Sequence, residues 1–535
     1  MNRAKCHVSD RRWRKRYRLV PSGLGLGTLV MATMAIAAIP VQICDAQGNQ
    51  REPDVEYVPP ADGGLGSTMT LEQQGEVAKS VSSRPIPTIN ARPAGEPIPS
   101  LKYRFWLPQY KLKPASALLH FSRALVMWHG FSAEQRNKIQ QWSFDEEEYR
   151  PTASELAKAV DELANVYAEL DSLALAEDFT WDHRLRDLNG PGMYMYLLPE
   201  VQQSRDLARL LRLRVRHHVQ QGELDAAITA LQAGFKLGAF VGQGETLVQQ
   251  LVGIAIVGIM VDEVQHMISM PDCPNLYWAL ATLPRPVVDI RESVQFELGA
   301  IHRILPILRE AETEQRNADY WNQAWAQLTN DFASLGGLGN ESKLAFAVLG
   351  VASAEPARER LINSGLDRSE VEAMPAMRAV LLDASREIRR VSDDLTKGSY
   401  LPHSYGRAIV TDANDQMGQW IQANRFQSGG AAIAGLLFPA VQAAGSAGTR
   451  TQYFVNRLMT VEAIRMYAKR NDGKLPESLE QLTTPPALPN PFSNEPFEYK
   501  VESKGSTKIV TLTANGLPPS AKWFKTLRIE LAPQR

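Results

Sequence analysis

Glu263 and His266 have the spacing that carboxylate-bridged di-iron bundles use for metal ligands. The two residues are three apart in a helical stretch, so their side chains lie on one face. A di-iron site also needs a second Glu-x-x-His and two more glutamates from other helices. Glu297 and His302 have the wrong spacing, and the sequence has no second copy of the motif. We therefore interpret Glu263 and His266 as a solvated helix end.

An arginine-rich helix face ends at the adjacent histidines His217 and His218. Two interpretations are compatible with it: an anion-binding face, or a solvated face whose charges pair with acidic neighbours. Helix faces often carry such charge for solvation and pairing alone, so we favour the second. The arginines of this face are Arg209, Arg212, Arg214 and Arg216.

Two side chains could act as nucleophiles. Ser446 lies in Ala-Gly-Ser-Ala-Gly, but a nucleophile elbow must follow a strand, and Gly/Ala-rich helical sequence precedes this serine. Cys273 lies in Pro-Asp-Cys-Pro-Asn, where we expect a buried thiol in a turn between helices. The chain has no His-Glu-x-x-His, P-loop or Rossmann glycine motif. The sequence therefore assigns no catalytic, cofactor-binding or metal-binding residue and implies no cofactor.

The first 46 residues have the pattern of an export signal. Eight basic residues precede Leu19, residues 19–44 carry no charge, and Cys44 and Ala46 place small residues at a cleavage site after Ala46. The apolar core, residues 29–39, is short for a spanning helix. Three outcomes stay open: a cleaved signal, a retained anchor, or a lipoprotein whose Val-Gln-Ile-Cys resembles a lipobox. In each case we expect the basic end to stay in the cytoplasm and the rest to be exported, either into the periplasm or anchored facing it.

Charge and cysteine usage limit the function classes. The chain has 58 basic and 59 acidic residues; the first 46 hold 8 and 2, so the remainder has 50 and 57, a net charge of −7. No long basic stripe occurs, which argues against nucleic-acid binding. Of three cysteines only Cys273 survives cleavage, so no intrachain disulfide can stabilise the exported part. Stability must come from an apolar core, and 44% hydrophobic residues can supply one.

Five regions follow from composition and periodicity. We predict a signal or anchor at 1–46, a disordered Pro/Gly/Ser-rich tether at 47–100, a helical domain at 101–316, further helices with Gly-rich loops at 317–450, and a C-terminal helix plus a small sheet at 451–535. The fold class is therefore mainly α, with a multi-helix hairpin or bundle body and a small C-terminal α+β module. Thr152 and Glu155 form a capping box at one helix start.

One helical hairpin resembles a tetratricopeptide repeat. The resemblance is carried by Gly222-Glu-Leu-Asp-Ala-Ala-Ile, with Leu211, Leu231 and Leu237 near further core positions. It implies that Gly222 takes the turn between two packed helices and that Ala227 lies at their close contact. An ordinary helix–turn–helix in a bundle is the alternative, since no second copy appears 34 residues to either side.

Two apolar stretches are candidates for additional membrane spans. Residues 251–261 are wholly apolar or glycine, and at this length they fit a buried core helix. Residues 427–449 carry no charge and are long enough to span, but they are rich in Gly and Ala and contain Pro439. We expect a packed helix with a mobile glycine-rich end there.

The C-terminal region resembles the post-helix region of bacterial secretion pseudopilins. We predict an amphipathic helix at 454–469 capped by Gly473, a short helix at 477–482, and strands at 497–501, 508–513 and 527–531. The resemblance covers AIRMYAKRNDGKLPESLEQL and NPFSNEPFEY, and the same module ends many exported bacterial proteins. It implies a small sheet on the preceding helix, with Phe492 and Phe497 fixing loop and strand.

Two function classes remain. The first is an exported helical interaction or scaffold protein of the bacterial envelope, whose partner is a protein or another envelope component. The second is a periplasmic or surface enzyme whose site is assembled from residues far apart in sequence. Polar groups converging in a deep pocket would favour the enzyme. Membrane contact would come from the N-terminal segment if it is not cleaved.

Overall fold

A computed structural model describes residues 86–144, 150–188, 198–336, 340–401, 403–437, 439–504, 507–517 and 524–533. The predicted signal or anchor at 1–46 lies outside the described residues, as does most of the predicted tether. The fold is mainly α with a small sheet at the C-terminal end, as the sequence predicts.

Among the described residues, ten helices cover the region up to residue 313. Helices α5, α6 and α7 pack on one another, and α6 also packs on α4. The bounds are α1 Ala117–His129, α2 Ala133–Gln141, α3 Ala153–Glu162, α4 Ala164–Leu175, α5 Pro199–Gln221, α6 Leu224–Gly242, α7 Leu247–Ile268, α8 Tyr277–Ala281, α9 Arg291–Ile304 and α10 Pro306–Thr313.

Seven further helices follow in the part of the chain that the structure describes. Helix α14 lies at the centre of this group, in contact with α10, α12, α15 and α16. The bounds are α11 Ala318–Gly336, α12 Asn340–Asn363, α13 Arg368–Ala373, α14 Ala376–Lys397, α15 His403–Asn424, α16 Gly429–Leu437 and α17 Pro439–Arg470.

The α5–α6 hairpin has the turn and the contact that the sequence predicts. Gly222 ends α5 with φ +74°, a left-handed conformation that glycine adopts without strain. Ala227 is fully buried between the helices. The predicted capping box also forms, with the Thr152 side chain accepting from the Glu155 amide and the Glu155 side chain from the Thr152 amide.

Helices α6 and α7 form the most apolar part of the core. Both are long and apolar enough to cross a membrane, but 72% and 78% of their most apolar windows are buried inside the protein. Gly238 and Gly253 let the two backbones touch, since a Cβ at Gly253 would lie 2.5 Å from the Gly238 carbonyl oxygen. Burial of residues 251–261 is thus confirmed, as expected for a core helix.

The small sheet corrects the predicted tether. Its order is β1-β6-β5-β4, from β1 Thr88–Ala91, β4 Glu498–Lys504, β5 Thr507–Thr513 and β6 Thr526–Leu531. Strand β1 runs parallel to β6, and Ile89 and Ala91 are buried. The prediction of a disordered segment up to residue 100 is therefore wrong for residues 86–100. Composition alone could not reveal a strand whose partner lies at the far end of the chain.

A second, two-stranded sheet joins β2 Lys113–Ser116 to β3 Ala176–Asp178.

Helix α17 differs from the predicted amphipathic helix at 454–469. It begins at Pro439, so the glycine-rich end predicted to be mobile is helical instead. Its second half is buried on every side: Tyr453 contacts the rings of Phe492, Phe497 and Phe524 from the C-terminal module, while α7 and α8 pack on the helix as well. The three predicted strands form close to their expected bounds, but the predicted short helix at 477–482 is only a 3₁₀ turn, Leu479–Gln481.

Candidate functional site

The Glu-x-x-His pair and the arginine-rich face meet in one ion cluster. Glu263 on α7 is 1% exposed, and Arg212 Nε on α5 donates to its Oε1 at 2.7 Å. Arg216 donates to the same carboxylate from Nε and Nη2, at 3.1 and 3.0 Å. Burial alone would raise the pKa of Glu263, but the charges of Arg216 and Arg212 hold it below its ordinary value. The predicted solvated helix end is therefore wrong for Glu263, because α5 packs over this part of α7.

The remaining charges of the arginine-rich face are also paired. Arg214 donates to both oxygens of Asp171, at 2.7 and 3.0 Å, and Arg209 lies 3.0 Å from Asp206. The expected pairing of this face with acidic neighbours is therefore confirmed, but the expected solvation is not, since the side chains of Arg212, Arg214 and Arg216 are 11%, 14% and 18% exposed. Among the residues that the structure describes, no group of three or more His, Cys, Asp or Glu side chains could hold a metal ion.

Neither nucleophile candidate is placed for catalysis. Ser446 lies within α17, so the strand that a nucleophile elbow requires does not precede it. Cys273 is 4% exposed, and burial raises the pKa of its thiol to about 12. Its carbonyl accepts from Arg465 Nη2 at 2.8 Å, and Arg465 forms a fully buried ion pair with Glu462 at 2.6 Å. Cys273 is thus the buried structural thiol that the sequence predicts.

The two residues rejected for their spacing, Glu297 and His302, lie in separate polar contacts. Glu297 accepts a hydrogen bond from the Leu247 amide, the first residue of α7, at 2.7 Å, and burial raises the pKa of this carboxyl to about 7. His302 Nε2 lies 2.8 Å from the Ser385 hydroxyl of α14. Only the second contact belongs to a larger polar network.

That network joins His302, Ser385, Glu312 and Arg389. The Ser385 hydroxyl donates to Glu312 Oε1 at 2.6 Å, and Arg389 Nη2 donates to both oxygens of Glu312 at 2.7 and 2.8 Å. These are the residue types of a Ser-His-Glu triad, but their order differs: in a triad the histidine lies between serine and carboxylate. Here the serine lies in the middle.

The order of these hydrogen bonds decides what Ser385 can do. The hydroxyl has one proton, and donating it to Glu312 requires His302 to donate from Nε2, so the imidazole cannot act as a base toward this serine. Burial and the neighbouring Arg389 lower the pKa of His302, which favours the neutral ring. Ser385 is also fully buried. The network therefore orients Glu312 and Arg389 and does not activate a nucleophile.

Glu312 and Arg389 line an open cleft of about 530 Å³ along one face of α14. We call it the arginine cleft. Its apolar lining comes from Leu366, Met374 and Leu382. Its cationic lining consists of Arg378, Arg386, Arg389 and Arg390, and its carboxylates are Glu312, Glu370, Asp393 and Asp394.

The position of the cleft follows from the sequence of α14. Residues four apart share a helix face, and the row 378, 382, 386, 390 and 394 reads Arg-Leu-Arg-Arg-Asp. The opposite face packs Leu381, Ile388 and Leu395 into the core. The end of α10 and the segment around α13 provide the facing walls, through Glu312 and Met374.

The charges at the two ends of the arginine cleft differ. At one end Arg390 and Lys397 both contact Asp394, at 3.3 and 2.7 Å, and the exposed Asp393 lies beside them. At the other end, the contact of Arg378 within the described part of the chain is with the Ala311 carbonyl oxygen, 3.4 Å from its Nε. The arginines and the apolar lining therefore lie on one side of Asp393 and Asp394, which form an acidic end, and the exposed Glu370 also lines the cleft.

Lys236 is a second side chain in an unusual environment. It is 3% exposed, and its Nζ lies 3.9 Å from the Trp106 ring centroid and 4.9 Å from that of Phe179. Burial lowers the pKa of this amine to about 8. The two rings offer the cation a favourable face in place of a carboxylate, so we interpret Lys236 as a structural cation–π contact.

Sequence reasoning missed the arginine cleft. The one available signal was the row of residues four apart on α14, which is indistinguishable from a solvated charged face until the facing walls are known. Comparisons with protein-family models, with curated proteins and with solved structures find no match for this chain. The function must therefore be argued from the chemistry of the cleft itself.

Proposed function

We propose that this chain is an exported helical interaction protein of the bacterial envelope that holds a partner in the arginine cleft. The observation that carries the proposal is Arg378: it is 9% exposed and, among the described residues, has no carboxylate within 4 Å. A largely buried cation without a counter-charge is costly, and an anionic partner group would offset that cost.

The size and lining of the cleft support a binding role. About 530 Å³ lies within the usual range for ligand sites, and arginine beside apolar side chains is a common composition for interface centres. The hydrogen-bond order around Ser385 gives no support to a serine-based enzyme. The tetratricopeptide-like hairpin and the pseudopilin-like C-terminal module stay resemblances that fit an envelope scaffold.

Capture from envelope extracts tests the interaction. The immobilised full chain should retain a specific protein that Arg386→Glu no longer retains, because the substitution reverses a charge at the mouth of the cleft. Arg123→Glu is the matched control, since Arg123 is an exposed arginine on α1 that does not line the cleft. Retention of the same proteins by all three chains would contradict the proposal.

A reporter that is active only outside the cytoplasm tests export. The fusion point should be residue 85, ahead of strand β1, so that the exported segment does not include a strand separated from its partners in the sheet. We expect activity, because the basic cluster next to an apolar segment orients that segment with its basic end inside. An inactive reporter with the full chain in the cytoplasm would refute export.

A further inference from the structure

We infer that the arginine cleft recognises an extended peptide segment of the pattern acidic-x-apolar-x-acidic. The inference rests on the proposed function and specifies the chemistry of the partner. It depends on which arginines of the cleft already have a counter-charge, on their spacing along α14, and on the apolar side chains between them.

Two arginines of the cleft are satisfied within the protein. Arg389 Nη2 donates to both carboxylate oxygens of Glu312, and Arg390 contacts Asp394. The other two form no ion pair with a carboxylate: among the described residues Arg378 contacts a carbonyl oxygen, and the exposed Arg386 donates to the Ser364 hydroxyl at 3.1 Å. Among the described residues neither has a carboxylate within 4 Å. Asp383, next to them on α14, is instead held by Arg360 at 2.7 Å. The charge of Arg386 does act on Asp383, where it counteracts the rise in the pKa that burial causes.

The spacing of these two arginines sets the spacing of the ligand charges. Arg378 and Arg386 are eight residues apart on one face of α14, which corresponds to about 12 Å at 1.5 Å per residue. In an extended peptide, residues i, i+2 and i+4 point to the same side, and i to i+4 spans about 13 Å. Two acidic side chains four residues apart on an extended segment therefore match the two arginines.

Apolar groups occupy the space between the two positions. Leu382 lies halfway between Arg378 and Arg386 on the same row of α14, and Met374 and Leu366 line the cleft beside it. Leu382 and Met374 are 5% and 6% exposed. The residue at i+2 of the extended segment should therefore be apolar.

The acidic end of the cleft excludes a polyanion. Asp393 and Asp394 continue the lining beyond Arg390, so a chain with regularly spaced phosphates would place negative charge against these carboxylates. The exported part of the chain is also acidic overall, which disfavours nucleic acid. A peptide with two localised charges avoids this repulsion.

Fluorescence anisotropy of a labelled peptide, Ala-Asp-Ala-Leu-Ala-Asp-Ala, with the purified full chain tests the inference. We expect Arg386→Gln to weaken binding about tenfold, a typical loss for one charge-assisted contact, while Arg123→Gln leaves it unchanged. Replacing one aspartate of the peptide by asparagine should cost a similar factor in the unsubstituted protein. For the aspartate that faces position 386, that cost should disappear in Arg386→Gln, because the two groups interact with each other.

Several outcomes would overturn the inference. These are equal binding by Arg386→Gln and the unsubstituted protein, equal binding of a peptide with lysines in place of the aspartates, or equal binding of a single-stranded oligonucleotide. No binding of the aspartate peptide, with envelope capture still lost in Arg386→Glu, refutes the peptide pattern and leaves the proposed function standing. If the aspartate peptide does not bind and Arg386→Glu does not change envelope capture, both the peptide pattern and the proposed function are refuted.

Discussion

Replacing Glu263 by glutamine removes the charge that Arg212 and Arg216 share. The amide keeps the size of the side chain, so the substitution tests charge without opening a cavity. Glu263 is 1% exposed, and removing one partner of a buried ion pair costs about 3–5 kcal/mol. The Arg212 and Arg216 side chains are 11% and 18% exposed, so water can partly solvate them. We therefore expect Glu263→Gln to lower the free energy of unfolding by about 2–4 kcal/mol at neutral pH.

Urea unfolding followed by circular dichroism measures this loss. Glu292→Gln is the matched control, because Glu292 is exposed at the start of α9, and a surface substitution of this kind should change stability by about 0.5 kcal/mol or less. Arg216→Met should cost less than Glu263→Gln, because Arg212 still neutralises the carboxylate. A loss below about 1 kcal/mol for Glu263→Gln would refute the argument that the cluster stabilises through its charges.

The same cluster gives a pH dependence with a defined sign. The two arginines lower the pKa of Glu263 in the folded protein, so its stabilising contribution is present above the ordinary glutamate pKa and is lost as pH falls through the folded value. The difference in stability between the unsubstituted protein and Glu263→Gln should therefore shrink below about pH 4. A difference that stays constant down to pH 2 would contradict this interpretation.

Three further predictions concern other buried groups. Gly253→Ala should destabilise the protein by about 1–3 kcal/mol in urea unfolding, because the added methyl would meet the backbone of α6. Gly299→Ala on α9 is the control, since nothing lies within 4 Å of its Cβ position, and it should stabilise the protein by about 0.5–1 kcal/mol. Equal effects of Gly253→Ala and Gly299→Ala would refute the close contact between α6 and α7. Glu297→Gln should raise stability at pH 8 but not at pH 4. The reason is that the pKa of this carboxyl is raised to about 7 in the folded protein, so the folded state binds the proton more tightly than the unfolded state and loses this advantage as pH rises through 7. A stabilising effect at pH 4 that is absent at pH 8 would refute the raised pKa. Cys273 should resist iodoacetamide in the folded protein at pH 8 and react in urea, and rapid labelling of the folded chain would contradict its burial.

Local sequence signals predicted the local structure well. Hydrophobic periodicity, the capping box at Thr152, the glycine at 222 and the alternating residues after 497 each act over a few residues, and each corresponds to the element expected from it. The mainly α fold with its small C-terminal sheet follows from these signals. The described part of the chain could therefore be assigned to its fold class from sequence.

Features that depend on distant parts of the chain were not predictable. Strand β1 lies in a proline-rich stretch and becomes a strand because β6, some 440 residues later, offers a parallel edge. The second half of α17 carries Arg457, Glu462 and Arg465, which makes it look amphipathic. These charges are buried because the sheet region and α7 enclose the helix and supply partners such as the Cys273 and Phe524 carbonyls.

The candidate site could not be predicted from the sequence for the same reason: it depends on residues that are far apart in the chain. The sequence predicts a solvated position for the di-iron spacing and, separately, for the arginine face, whereas helix packing brings Glu263 to Arg212 and Arg216. The arginine cleft needs α10, the segment around α13 and α14 together, and each contributes only a few unremarkable residues. A row of residues four apart becomes informative only when the wall opposite is known.

Site-specific photo-crosslinking in living bacteria tests the central claim most directly. A photoreactive residue in place of Leu366, in the wall of the arginine cleft, should give one discrete adduct with an envelope component. That adduct should disappear when Arg386→Glu is added, and a photoreactive residue at the exposed Leu119 of α1 should not form it. An absent adduct at position 366, or one unaffected by Arg386→Glu, would contradict the assignment of the arginine cleft as the partner-binding site.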